Sequence, residues 1–138
     1  GFMGVMAIFD MILGVAGLSM SQIFGYVFAP FGFLFGFEGA DIMTAGTLLG
    51  QKLILNEFIA FGNLAPLLES LSPRTALVAT ISLCGFANIS SMGMCIGGIG
   101  VLCPKKRGII SKLIVKATVS GVFVSINSAL LVSIVSLF

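Results

Sequence analysis

The chain has 138 residues, of which 58% are hydrophobic and only 9% charged, with a mean hydropathy of +1.20. Ordinary soluble domains carry about 25% charged residues, so this composition cannot clothe a water-facing surface, and the bilayer is the expected solvent. A net charge of +2 is too small to call for a nucleic-acid partner, and three scattered cysteines without any histidine argue against a metal or redox site.

Gly1 opens directly into apolar sequence with no charged n-region, which fits a chain continuing from an earlier segment rather than a signal peptide. Residues 1–17 read as the end of a spanning helix. Gly17 can close it in the left-handed conformation, and Ser19 can N-cap the next element. Residues 19–35 contain "GYVFAPFGFLF" and read as an amphipathic helix near the interface, where Tyr26 and the phenylalanines sit comfortably.

Residues 39–70 form a different unit. Two apolar stretches, 42–55 and 58–68, flank Asn56-Glu57. At ~1.5 Å per residue neither crosses a ~30 Å hydrocarbon core, which predicts a re-entrant hairpin with a polar tip. "SPRT" then offers Ser72 as an N-cap and Pro73 as the first helical residue of a span over 74–104. The middle of that span, "CGFANISSMGMCIGGIG", is rich in Gly, Ser and Asn, so the helix should be broken near Gly85–Gly93. Residues 108–137 make a last span, uncharged from position 117 onward. Cys84, Cys95 and Cys103 are expected to be small buried residues in membrane helices.

Five of the seven basic residues, Lys105, Lys106, Arg107, Lys112 and Lys116, crowd the connection between the last two spans. That end should face the cytoplasm, leaving Arg74 and the hairpin base outside. Orientation alone accounts for the cluster, with no binding role.

Two polar constellations remain. The hairpin tip carries Asn56 and Glu57, and the broken helix carries Phe86, Asn88, Ser90 and Ser91. Asn88 and Ser91 are three apart and share a helix face. Unwinding near Gly85 would turn Phe86 toward the same cavity and free backbone groups at two half-helix ends, an arrangement suited to holding a polar solute at the membrane midplane. A carboxylate accepting from two adjacent hydroxyls, an amide, a hydroxyl and an aromatic face suit a sugar-like solute. In the plainer alternative Asn88 and Ser91 are interhelical glue, and Glu57 pairs with Lys52. A carboxylate inside a membrane is functional by default, which favours a site.

"GQKLILNEFIAF" and "SLCGFANISSMG", separated by "LSPR" and preceded by "GYVFAPFGFLFG", resemble the signature stretches in the C-terminal half of concentrative nucleoside transporters. The likeness runs over essentially the whole chain. It implies an all-α membrane protein, the second half of an inverted-repeat transporter, in which spanning helices accompany a re-entrant hairpin and a broken transmembrane helix. It also implies a multi-pass protein of the cell membrane, the inner membrane in bacteria, that assembles as a homotrimer with the N-terminal half of the same transporter alongside. The solute would be a nucleoside taken up by symport with sodium or a proton. Glu57, Asn88 and Ser91 would contact the ribose and Phe86 would lie against the nucleoside, with Asn56 and Ser90 in support. The coupling-ion site and the base contacts would lie mainly outside this chain, which needs no resident cofactor or metal.

Other classes fit the residues less well. A channel would repeat polar residues along one continuous face, whereas here they concentrate at one depth. An enzyme using Glu57 as an acid or base would want a second titratable group in reach, and no His and no second carboxylate falls near the breaks. A gate-type membrane protein moving another polar solute is the remaining alternative.

Overall fold

The computed structural model describes residues 2–138, with side chains from residue 4; Gly1, where the sequence suggested a continuation, lies outside the described residues. Seven α-helices follow in order, and no strand occurs among the described residues. The first two, α1 (Phe2–Val15) and α2 (Met20–Leu34), meet at 94°. The corner is written locally. Gly17 takes φ +72, and Ser19 caps α2 in a capping box with Gln22: its Oγ accepts from Gln22 N at 3.2 Å, and Gln22 Oε1 accepts from Ser19 N at 2.9 Å. Asp10 adds a tie from α1, where its carboxylate accepts from Met20 N at 2.8 Å, satisfying another free amide at the positive end of α2.

α3 (Ala40–Ile54) returns along α2 and packs closely against it. The contact is made by small residues. Gly25 and Gly32 of α2 are buried, as are Gly46 and Gly50 of α3, with the Phe24 ring lying over Gly50. In lipid, apolar burial gives no preference for a partner helix over a lipid tail, so close backbone approach and polar ties must hold the pair. The ties are present. Gln51 Nε2 donates to Ser21 Oγ at 3.1 Å, and Thr47 Oγ1 donates to Ser21 O at 3.2 Å.

The hairpin closes between α3 and α4 (Glu57–Leu64), which continues through a 3-10 turn over Ala65–Leu67. Asn63 Nδ2 donates to Gln51 Oε1 at 2.9 Å, so Gln51 bridges both arms and α2 at once. α3 is ~22 Å long and α4 ~12 Å. The arms differ slightly from the expected 42–55 and 58–68. Helix begins already at Ala40, after Gly39, and Glu57 is the first helical residue of α4 rather than part of an open tip. The cause is Asn56, whose side chain accepts from Ile59 N at 3.0 Å and starts the second arm one residue early.

α5 (Pro73–Leu83) begins at Pro73 with Ser72 as its cap, the Oγ accepting from Thr75 N at 3.1 Å. α6 (Ile89–Leu102) follows. The interruption covers residues 84–88, so the predicted break over Gly85–Gly93 is too long at its far end. Of that stretch only Gly85 takes a backbone conformation that L side chains resist, at φ +110, and Asn88 restarts the helix at once, so Gly93 falls within regular α6. A 3-10 turn over Pro104–Lys106 leads into α7 (Arg107–Val135), which is long and apolar enough to cross a membrane.

The core lies where α3, α4, α5 and α7 converge on the loop after α2. Phe35, Leu49, Leu64, Val78, Leu83 and Ala129 are all fully or nearly fully buried there. Arg74 fastens one end of this assembly. Its Nη1 donates to Gly36 O at 3.0 Å, and its Nη2 donates to Ser133 O at 3.1 Å and Ser133 Oγ at 2.8 Å. Ser133 Oγ in turn donates to Phe35 O. Three segments far apart in sequence thus meet on one guanidinium. Arg74→Met should lower the stability of the detergent-purified full-length protein by about 1.5–3 kcal/mol, the value of hydrogen bonds made by a charged group. A thermal melt unchanged within error would show the clamp to be incidental.

Candidate functional site

The polar site is built where two helix starts face each other. Glu57 is the first residue of α4 and Asn88 is the N-cap of α6. Asn88 is buried, and every polar atom of its side chain is committed. Its Oδ1 accepts from Ser91 N at 2.6 Å, and its Nδ2 donates to Glu57 Oε2 at 2.7 Å. The hairpin tip and the helix break are therefore joined by one short hydrogen bond between residues 31 apart. Among the described residues, Glu57 Oε1 takes no hydrogen bond. Glu57 itself is only half-buried.

Ser91 closes the break from inside. It is buried, and its Oγ accepts from Asn88 N at 3.2 Å while lying 2.9 Å from both Phe86 O and Asn88 O. One hydroxyl proton can serve only one of those carbonyls at a time. The hydroxyl thus holds the unwound turn over Phe86–Asn88 in shape. Phe86 points outward at 60% exposure and lines, with Ser91, a cavity of about 720 Å³ between the break and α7. Glu57 and Asn88 do not line that cavity, whose walls are mostly apolar side chains such as Ile81, Met92, Ile114 and Val124. The cavity is a groove between packed helices, and the polar chemistry sits beside it at the helix starts.

The structure thus brings Glu57, Asn88 and Ser91 into one connected network, which Phe86 joins through its backbone carbonyl while its ring lines the adjoining cavity. Asn56 serves as the cap of α4, and half-buried Ser90 takes no part in the described side-chain hydrogen bonds. The alternative pairing of Glu57 with Lys52 is not made as a hydrogen bond, since Lys52 Nζ has no partner among the described residues. Sequence reasoning missed Ser125, whose Oγ lies 3.0 Å from Cys84 O and 3.1 Å from Gly121 O. It can therefore satisfy a carbonyl that the break leaves free. Nothing in the sequence separates it from the other serines along α7.

These contacts rank two substitutions. Asn88→Ala removes the cap and the tie to Glu57 together. A lost N-cap alone costs about 0.5–2 kcal/mol. Ser91→Ala leaves the buried Asn88 N–H without its acceptor, at about 1–3 kcal/mol, but keeps the tie to Glu57. Both variants of the full-length protein should melt at lower temperature, and only Asn88→Ala should also loosen the hairpin tip. Proteolysis at the 55–57 turn, faster in Asn88→Ala than in Ser91→Ala, would show it; equal rates would refute the ranking.

The geometry has close relatives. A family model described as "Na+ dependent nucleoside transporter C-terminus" matches residues 1–133. The purine nucleoside transport protein NupG of Bacillus subtilis is 40% identical over 137 residues, covering 97% of this chain and 34% of that protein. Sodium/nucleoside cotransporter 1 of Mus musculus is 35% identical over 135 residues, covering 87% of this chain and 21% of that protein. Among solved structures, CNTnw in an inward-facing substrate-bound state superposes with a TM-score of 0.87 at 30% identity, covering 99% of this chain and 34% of that one. The chain therefore spans about a third or less of the length of these relatives, which are transporters rather than enzymes. With the family model matching nearly end to end and the fold superposing over almost every residue, the chain belongs to the concentrative nucleoside transporters, as their C-terminal region.

Proposed function

We propose that this chain is the ribose-binding part of a transporter that takes nucleosides into the cell by symport with sodium or a proton. The observation that carries the reading is the Asn88–Glu57 hydrogen bond. It joins two helix starts, holds one carboxylate oxygen, and leaves the other oxygen free to accept from a hydroxyl. Charge-assisted acceptance from the ribose hydroxyls offsets the cost of a carboxylate in a low-dielectric setting. Phe86, exposed in the cavity beside the network, offers a ring face for the nucleoside. The two half-helix starts add positive ends of backbone dipoles behind the carboxylate, as in other discontinuous-helix transporters.

In this reading the chain works in the plane of the cell membrane, in the inner membrane if the source is bacterial. Its hairpin over residues 39–70 is re-entrant, and the N-terminal half of the transporter closes the site as an inverted repeat. That half also supplies most of the coupling-ion site and the base contacts, and the complete protein assembles as a homotrimer. Uptake of a labelled ribonucleoside by cells expressing the full-length transporter, with sodium and proton gradients imposed separately, tests the proposal. Accumulation above equilibrium under one of the two gradients is expected. Equilibration without concentration under both would point to a passive pore.

A further inference from the structure

Lys52 has a burial that the network above leaves unexplained. It sits on the last turn of α3 at 0% exposure, and its Nζ has no hydrogen-bond partner among the described residues. This chain alone encloses it, without help from any other segment. An ammonium in such a place needs a compensating charge. Glu57 is the carboxylate in electrostatic reach, with Cys84 the other titratable side chain nearby. The Cys84 thiol is turned to its own helix, 3.4 Å from Thr80 O.

The two charges are matched to their helices. Lys52 lies at the carbonyl end of α3 and Glu57 at the amide end of α4, so each sits where the backbone dipole favours its sign. They are close in sequence, yet the turn through Leu55 and Asn56 keeps them from bonding. A direct Lys–Glu bond would consume the acceptor capacity of the carboxylate. An unbalanced carboxylate in apolar surroundings would instead draw in cations. In the observed arrangement Asn88 holds Oε2, Oε1 stays open, and Lys52 Nζ bonds to neither oxygen.

We infer that Lys52 is a positioning residue that makes the solute site electrically neutral, so that Glu57 accepts hydroxyls of uncharged solutes and discriminates against cationic ones. The inference rests on the reading of Glu57 as the hydroxyl acceptor.

The test uses detergent-purified full-length transporter as parent, Lys52→Met, Glu57→Gln and the double variant. Equilibrium binding is measured for a ribonucleoside and for its 3′-amino-3′-deoxy analogue in the ammonium form. Lys52→Met should shift the affinity ratio toward the ammonium ligand by at least about tenfold, because removing the buried ammonium leaves the Glu57 carboxylate without a nearby opposite charge. The double variant should return the ratio to near the parent value. A ratio that does not move in Lys52→Met overturns the inference. If Lys52→Met fails to fold, the melting temperature of the double variant decides. Recovery of folded protein on neutralising Glu57 supports charge balance, and no recovery rejects it. If Glu57→Gln leaves ribonucleoside affinity intact, the acceptor reading of Glu57 fails. The melting temperatures of the four proteins still report whether the two charges are coupled, with additive losses overturning the inference.

Discussion

Glu57→Gln is expected to lower the affinity of the full-length transporter for ribonucleosides by about one to two decades. The substitution keeps the size of the side chain and an oxygen that can still accept from Asn88 Nδ2, so the tie between hairpin and break survives. What is lost is the negative charge on the oxygen facing the solute, and an NH₂ group now meets hydroxyls that need an acceptor. Bonds to a charged acceptor contribute about 1.5–3 kcal/mol, which converts to the stated range. The loss should be much smaller for 2′,3′-dideoxynucleosides, which lack both hydroxyls and should already bind the parent weakly. Equilibrium binding of both ligand types to parent and variant checks this. A loss equal for both would mean that Glu57 acts on the protein and not on the ribose.

The second large effect concerns the seam between α2 and α3. A Cβ placed on Gly46 would stand 2.6 Å from Gly25 O, 2.7 Å from Ala29 N and 3.0 Å from Phe28 C. All three are backbone atoms, and no side chain can swing away to make room. Gly46→Leu should therefore force α2 off α3, breaking the Gln51–Ser21 and Thr47–Ser21 bonds with it. Overpacking usually costs about 1–3 kcal/mol, and displaced backbone with lost hydrogen bonds puts this site at or above the upper end. The full-length variant should melt far below the parent or fail to accumulate. Gly62→Ala is the matching control, because nothing among the described residues lies within 4 Å of its added Cβ. It should be neutral or stabilising by up to ~1 kcal/mol. A Gly46→Leu protein that melts like the parent would mean that the two helices part freely.

The α2–α3 seam was invisible in the sequence for a physical reason. Gly25 and Gly46 are far apart along the chain, and a glycine that admits a neighbouring backbone looks like one that merely relaxes a helix. Local signals read far better. Ser19, Ser72 and Pro73 act within four residues of themselves, and all three sit where capping preferences place them. The helix break was legible as a region but not in its width, because Gly, Ser and Asn are equally dense on both sides of the point where Asn88 restarts the helix. Glu57 stood out as a carboxylate in apolar sequence, but its bond to Asn88 did not, since the sequence set both residues toward a shared solute rather than toward each other. The burial of Lys52 did not stand out. Long basic side chains near apolar segments usually reach the interface, and only packing shows that this one cannot.

The Arg74 clamp has a consequence in time. Its two acceptors on Ser133 are made 59 residues after Arg74 itself. At about 5–20 residues per second of synthesis, the guanidinium waits roughly 3–12 s for them. Throughout that interval only its acceptor on Gly36 has been made, so Nη2 has to keep water as its partner while α6 and α7 are synthesised. The arginine that locks the fold is thus itself left half-partnered until the last helix has been made.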